Sequence, residues 1–177
     1  YSINGLEYSI PESWTEKVSQ ENLKYYYPEN GMLMVSYTEL NSSITNDLTR
    51  QEFMDSFSSD WENFELISET EITVASTKAY HHEMNLTASG NAFEASMVTF
   101  DYNNGIISLF MATQKESGKD YSKEFENILS SINISDEVIE VQAEAQAAAE
   151  AQAIADAQIK DEKKIVLGRP ITIGDYV

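Results

Sequence analysis

The chain has 177 residues, of which 42% are hydrophobic, 30 are acidic and 11 are basic, and its formal net charge is −19. This length accommodates one core of ordinary domain size with some chain left over. The charge disfavours nucleic acid and anionic lipid as partners, because both attract lysine and arginine. Cysteine is absent, which excludes thiol catalysis, disulfides and thiolate metal sites. No apolar run is long enough to cross a membrane.

The first forty residues predict a strand followed by a hairpin. Apolar residues alternate over Gly5–Pro11, as in a half-buried strand, and Trp14 follows at a turn. Leu23–Tyr27 and Met32–Glu39 then form two strands joined by the turn residues Pro28–Gly31. The sequence starts at Tyr1 and not at a methionine, so we expect that a leader, such as that of a secreted protein or a lipoprotein, precedes it.

Two amphipathic helices are predicted from apolar residues at helical spacing. The first covers Thr49–Asn63, because Thr49 and Glu52 form a capping box at its N-terminus. The second begins near Asp120. The apolar stripes are Phe53, Phe57 and Trp61 in the first helix, with Phe64 directly after it, and Tyr121, Phe125, Ile128, Leu129 and Ile132 in the second. Both stripes are interpreted as core packing and not as cofactor sites.

A strand at Leu66–Ala75 leads into a meander at Lys78–Gln114. Its turn signals are Ser89–Asn91 and Asn104-Gly105, and Asn-Gly is the strongest short hairpin signal because a type I′ turn needs positive φ at both central residues. A two-residue Asn104-Gly105 loop pairs Tyr102 with Ile107, Phe100 with Leu109, and Val98 with Met111. Those six residues line one face, while Phe93, Met97, Phe110 and Ala112 line the other. A sheet that is apolar on both faces predicts covering layers on both sides.

Composition changes after Ile134. Alanine dominates residues 143–157, and Asp136–Lys163 predicts a mostly exposed spacer helix about 40 Å long. The tail Ile165–Val177 returns to strand character and stops within an apolar pattern. We therefore predict a domain at residues 1–134, a spacer helix rich in alanine and glutamate at 135–164, and a terminal strand at 165–177 that begins a second, truncated β domain.

The expected fold class is α+β, a three-layer α/β/α sandwich around a mainly antiparallel sheet, with a long C-terminal helix and strand. Read together, Pro11 and Trp14, the Tyr-Pro-Glu-Asn-Gly hairpin, the Phe/Trp helix, the meander and the Tyr121–Ile132 helix resemble the PsbP/DcrB-like families. This resemblance covers residues 3–134 and contains no catalytic motif. It implies a domain of the kind found in exported bacterial lipoproteins. The ending Gly-Arg-Pro-Ile-Thr-Ile-Gly-Asp-Tyr resembles the entry to an immunoglobulin-like domain of Gram-positive secreted proteins.

Few residues suggest chemistry. His81 and His82 are adjacent on a strand and therefore point to opposite faces, so they cannot bind one ion together. Asp101–Gly105 is similar to part of a calcium loop, but it lacks the twelfth-position glutamate and is interpreted as a turn. An acidic cluster near the first helix is interpreted as a solvated face, with a loose divalent cation site as the alternative. Its members are Asp55, Asp60, Glu62, Glu65, Glu69 and Glu71. No nucleophile elbow, phosphate loop, catalytic residue, cofactor site or metal site is predicted.

One surface is the candidate binding site. If the turn at Gly90 has two residues, the polar end of one sheet face is left uncovered by its helix and forms a shallow groove. The residues of this candidate surface are Glu83, Asn85, Thr87, Glu94, Ser96 and Thr113. A plain solvated sheet is the alternative interpretation, and a three-residue turn would move Lys78–Ala88 to the other face.

The function expected from these features is a non-enzymatic, extracytoplasmic binding or adaptor module of a cell-surface protein, secreted or lipid-anchored, with a protein partner and no cofactor. The alternative is a structural subunit that assembles with its own copies through the C-terminal helix and strand. The candidate inter-chain strand residues are Ile165, Val166, Leu167, Ile171, Ile173 and Val177. A hydrolase is a third class, and the sequence contains no constellation that supports it.

Overall fold

The protein is described by a computed structural model over residues 1–39 and 46–134. The strands are β1 Ser2–Ile3, β2 Leu6–Glu7, β3 Thr15–Gln20, β4 Leu23–Tyr27, β5 Gly31–Glu39, β6 Asn63–Val74, β7 Thr77–Ala88, β8 Asn91–Tyr102 and β9 Gly105–Gln114. The helices are α1 Asn46–Ser59 and α2 Ser122–Ser130, and a 3₁₀ turn at Lys115–Ser117 follows β9. Strands β3 to β9 form one sheet in the order β3-β4-β5-β9-β8-β7-β6, and every pairing in it is antiparallel.

Each face of this sheet has its own apolar core. On the face that we call the α2 face, the strands contribute residues such as Phe100 and Leu109, which pack with Phe125 and Ile128 of α2 and with the β1–β2 hairpin. On the α1 face, Met97 and Phe110 pack with the aromatic residues of α1. The predicted α+β class and mainly antiparallel sheet are confirmed, and layers lie on both sides because alternate residues of β8 and β9 are apolar on both faces.

Three two-residue turns connect β6, β7, β8 and β9. The turns are Ala75-Ser76, Ser89-Gly90 and Asn103-Asn104, and all six residues have positive φ. This is the type I′ pattern, whose twist matches that of the strands it joins. The four strands therefore form a continuous meander in which the face of every residue is fixed by the turns.

The pairing predicted for the last hairpin is wrong by two residues. Tyr102 pairs with Gly105 and not with Ile107, so Asn103-Asn104 forms the turn and Gly105 begins β9. Gly105 is needed within the strand, because a Cβ atom there would lie 2.4 Å from Tyr37 Cε2 of β5. A shift of two leaves every side chain on its predicted face, so the two apolar surfaces are unaffected.

The predicted strand at Gly5–Pro11 is also wrong. The chain turns at Asn4 and Gly5, which both have positive φ, and β1 pairs with β2 as a small hairpin. Backbone hydrogen bonds between Glu7 and Asn133 then tie this segment to the chain after α2. The alternating residues of the prediction, Leu6, Tyr8 and Ile10, are nevertheless buried.

Helix α1 is displaced from its predicted position of Thr49–Asn63. It begins at Asn46, so the predicted capping box does not mark its first turn, and it ends at Ser59. Asn63 already pairs with Thr87 of β7, which requires the chain to leave the helix before that point. Trp61 and Phe64 therefore reach the α1-face core from the connection and from β6.

The predicted spacer helix at 135–164 and terminal strand at 165–177 lie outside the described residues, and the domain boundary at 134 stays a prediction. Within the described ranges, neither helix has the length and apolar content needed to span a membrane.

Candidate functional site

The turn that decides the candidate surface has two residues. Ala88 pairs with Asn91 across Ser89-Gly90. Glu62 stabilises this turn, because its carboxylate accepts the backbone N–H groups of Ser89 and Gly90 at 2.8 and 3.2 Å. The turn at Gly90 therefore has the two-residue length on which the predicted groove depends.

The six candidate residues share the polar end of the α2 face. Glu83 pairs with Ser96 and Asn85 pairs with Glu94 across β7 and β8, and Glu94 also pairs with Thr113 of β9. Five of the six line one open cleft of about 550 Å³, and Thr87 lies on the same face outside its lining. The structure thus brings these residues together, while their role in binding stays a prediction.

The start of α2 forms the wall of this cleft. Asp120 accepts hydrogen bonds from the backbone N–H and the hydroxyl of Ser122 at 2.9 and 2.6 Å, which lowers the pKa of the Asp120 carboxyl. The Tyr121 hydroxyl donates to the Glu29 carbonyl oxygen at 2.7 Å, and Lys119 pairs with the Glu29 carboxylate at 2.9 Å. The wall is therefore fastened to the turn between β4 and β5.

The floor of the cleft is rich in hydrogen-bond acceptors. Ser68 donates its hydroxyl to Glu83 at 3.2 Å, and the Asn85 amide donates to Glu65 at 3.1 Å. Lys115 Nζ lies 3.8 Å from Glu94 Oε1, which is long for an ion pair. The buried side chains of Met111 and Phe125 add an apolar portion to the lining.

A β-bulge forms the rim on the side of edge strand β6. The register of β6 against β7 shifts between Leu66 and Ser68, so Ile67 is the extra residue. Leu66 and Ile67 are 45% and 54% exposed, and Ile67 belongs to the lining. Ile67 is a large apolar side chain in water at the mouth of a polar cleft, whereas Leu66 pairs with Met84 and lies on the α1 face.

Sequence reasoning missed the wall and this rim. The signal for the wall was present: β9 ends beside the Gly90 turn and only a short connection follows, so the start of α2 has to lie at that end. The signal for the bulge was the adjacent pair Leu66 and Ile67 between Glu65 and Ser68, which breaks the alternation of the strand.

The two histidines lie on opposite faces, as predicted. His81 lies on the α2 face, with its ring 6.5 Å from that of Phe125. His82 is fully buried on the α1 face, and its Nε2 atom lies 2.8 Å from Glu69 Oε2. Neither ring lines the cleft. Asp101–Gly105 contains the Asn103-Asn104 turn, which confirms its interpretation as a turn.

The acidic cluster is divided among separate partners. Glu62 stabilises the Ser89-Gly90 turn, Glu65 contacts Asn85 on the α2 face, and Glu69 contacts His82 on the α1 face. Glu71 forms an ion pair with Lys78 at 2.8 Å, which raises the pKa of Lys78. Asp55 accepts a hydrogen bond from Gln51 at 2.8 Å. No group of three or more potential ligands for a metal ion occurs in the described part of the chain.

Solved structures resemble this fold at low sequence identity. CyanoP, the cyanobacterial PsbP of Synechocystis sp. PCC 6803, matches with a TM-score of 0.59 and 16% identity over 76% of this chain and 91% of that chain. The fold is PsbP-like. LpqN of Mycobacterium tuberculosis, involved in cell envelope biogenesis, matches at 0.57 and 11% over 73% and 83%. The Ran-binding protein Mog1p of Saccharomyces cerevisiae matches at 0.54 and 7% over 73% and 90%.

No family model and no curated protein sequence matches the chain. The similarity to PsbP-like structures at these identities establishes the fold alone. The predicted resemblance of residues 3–134 to PsbP-like domains is confirmed at that level, and the immunoglobulin-like ending lies outside the described residues.

Proposed function

We propose that this chain is a non-enzymatic binding or adaptor module, acting outside the cytoplasm at a cell surface, and that the cleft on the α2 face receives its partner. The observation that carries the proposal is the cleft itself. About 550 Å³ of space opens where α2 leaves the polar end of its face uncovered, which is within the size range of ligand sites.

The side chains of the cleft favour binding over catalysis. A hydrolytic site needs a nucleophile with a base in hydrogen-bond reach. Neither of the two histidines lines the cleft, and the hydroxyl of Ser122 is engaged with Asp120 as part of the helix start. The PsbP-like fold adds support, since Mog1p is a Ran-binding protein and LpqN is involved in cell envelope biogenesis.

Site-specific photo-cross-linking in the native cell tests the proposal. Glu94 on the cleft floor is replaced by p-benzoylphenylalanine, and exposed Glu126 of α2, outside the cleft lining, receives the same group as the matched control. We expect a discrete adduct from position 94 that is absent from position 126. Equal adducts from both positions, or none from position 94 in folded protein, would contradict a role for the cleft.

Self-assembly through Ile165–Val177 is the second proposal. The outer edge of β6, which is 12 residues long, bears no further strand among the described residues and favours strand addition. The bulge at Ile67 weighs against a long pairing, because it interrupts the edge. Deleting Lys164–Val177 and measuring mass in solution tests this idea, and an intact chain that is already monomeric at high concentration would reject it.

A further inference from the structure

We infer that the partner of the cleft is a protein segment that presents an arginine or lysine side chain beside an apolar residue. The cationic group would lie on the carboxylates of the floor, and the apolar neighbour would lie on Ile67 at the rim. This inference rests on the proposed function and adds the chemistry of its partner.

The carboxylates of the floor favour a cationic partner. Glu83 and Glu94 stand diagonally on neighbouring strands, and Glu65 borders them through Asn85. Within the described part of the chain, no lysine, arginine or histidine lies at ion-pair distance from Glu83 or Glu65. Glu94 has only Lys115 at 3.8 Å, and Lys119 is engaged by Glu29. A guanidinium or ammonium group from outside would find acceptors that no internal cation occupies.

The apolar part of the lining fits the stem of such a side chain. Lysine and arginine bury their methylene groups along apolar surface while the charged head remains at a polar site. Tyr121, which lines the wall, is only half-buried and offers apolar ring surface beside the carboxylates, whereas Met111 and Phe125 are buried. A small inorganic cation would use none of these contacts.

The rim indicates that the partner is a protein. Ile67 lies exposed at the mouth, beyond the reach of a ligand confined to the floor. The bulge interrupts the hydrogen-bonding edge of β6 at the same position. A bound segment would therefore contact β6 through side chains and would not add a strand to the sheet. The net charge of −19 steers a basic partner towards this protein and repels nucleic acid and anionic lipid.

The test is an NMR titration of the ¹⁵N-labelled full chain with three probes: N-acetyl-leucyl-arginine amide, its neutral analogue with citrulline, and its anionic analogue with glutamate. We expect the arginine probe to shift the amide signals of Asn85, Glu94 and Ser96 and to saturate. We expect the citrulline probe to bind at least about fivefold more weakly and the glutamate probe not to bind, as for a close charge pair.

Two variants and one control assign the contacts. Glu83→Gln with Glu94→Gln should remove the preference for arginine over citrulline, whereas exposed Glu126→Gln should leave it unchanged. Ile67→Ser should weaken the leucyl-arginine probe and leave N-acetyl-glycyl-arginine amide unaffected. All of these side chains are exposed, so the fold is preserved.

Three patterns of binding would overturn the inference: equal binding of all three probes, preference for glutamate, or arginine binding that survives the double glutamine substitution. In the first two cases the cleft would still be a binding site, with a partner of other chemistry. If no probe shifts any amide signal, the inference is also overturned. The proposed function is then decided by whether position 94 forms the photo-cross-linked adduct.

Discussion

Replacing Gly105 by alanine tests the register of the β8–β9 hairpin. A Cβ atom here would lie 2.4 Å from Tyr37 Cε2 and 2.5 Å from the Thr38 carbonyl oxygen, about 1 Å inside normal contact. The Thr38 oxygen belongs to the backbone of β5, which pairs with β9 along its length, so it cannot move alone. Tyr37 can swing outward only by losing the hydrogen bond that its hydroxyl donates to the Asn103 carbonyl oxygen.

The expected loss follows from these two contacts. Overpacking costs about 1–3 kcal/mol, and the lost hydrogen bond costs about 1 kcal/mol. We therefore expect Gly105→Ala to lower the free energy of unfolding by about 2–4 kcal/mol. Urea unfolding followed by tryptophan fluorescence measures this change as a lower midpoint with an unchanged slope.

Gly90→Ala is the matched control. Gly90 has a φ of 74° and no atom within 4 Å of an added Cβ, so alanine there meets only left-handed strain of about 1–2 kcal/mol. A loss at Gly105 no larger than the loss at Gly90 would refute the reasoning. It would place Gly105 in the turn, where the sequence-based pairing had it.

Three other variants test the packing, a buried hydroxyl and a turn. Trp61→Ala should cost about 3 kcal/mol in urea unfolding, because Trp61 packs on Phe57 and Phe110; a loss below about 1 kcal/mol would mean that the stripe is not core. Burial raises the pKa of Tyr26 to about 12. The protonated Tyr26 hydroxyl therefore contributes fully to the free energy of unfolding below pH 10, and this contribution is lost as the pH rises towards 12. Tyr26→Phe should reduce the fall in unfolding free energy over that range, and an unchanged fall would contradict the assignment. Ala75→Asn with Ser76→Gly should stabilise by about 1 kcal/mol, since both residues have positive φ; a lower thermal midpoint would show that the turn is not of this type.

The sequence was sufficient to predict which residues lie on each face of the sheet. Alternation along β8 and β9 placed Phe100 on one face and Met97 on the other, and both assignments are correct. The two-residue turn at Gly90 made the shared face of Glu83 and Glu94 predictable as well. These features depend only on the alternation of strand side chains between the two faces and on turn length, which are local properties of the chain.

Other features depend on distant residues and were not predictable. The choice between Asn103-Asn104 and Asn104-Gly105 as the turn is decided by the approach of Tyr37 from β5. The end of α1 is decided by the pairing of Asn63 with Thr87. Ala75-Ser76 forms a type I′ turn without the Asn or Gly that usually signals one, because β6 and β7 pair up to Val74 and Thr77. In each case a tertiary contact overrides a local preference.

The meander also bears on the order in which the sheet assembles during folding. Strands β6 to β9 are joined by two-residue turns, so their contacts close very short loops. The pairing of β5 with β9 joins residues as distant as Val35 and Leu109 and closes a long loop of much higher entropic cost. We expect the meander to form the folding nucleus and β3–β5 to dock later. Pulsed hydrogen exchange would then find amides of β7 and β8 protected before those of β5, and simultaneous protection would show that the long-range pairing already belongs to the nucleus.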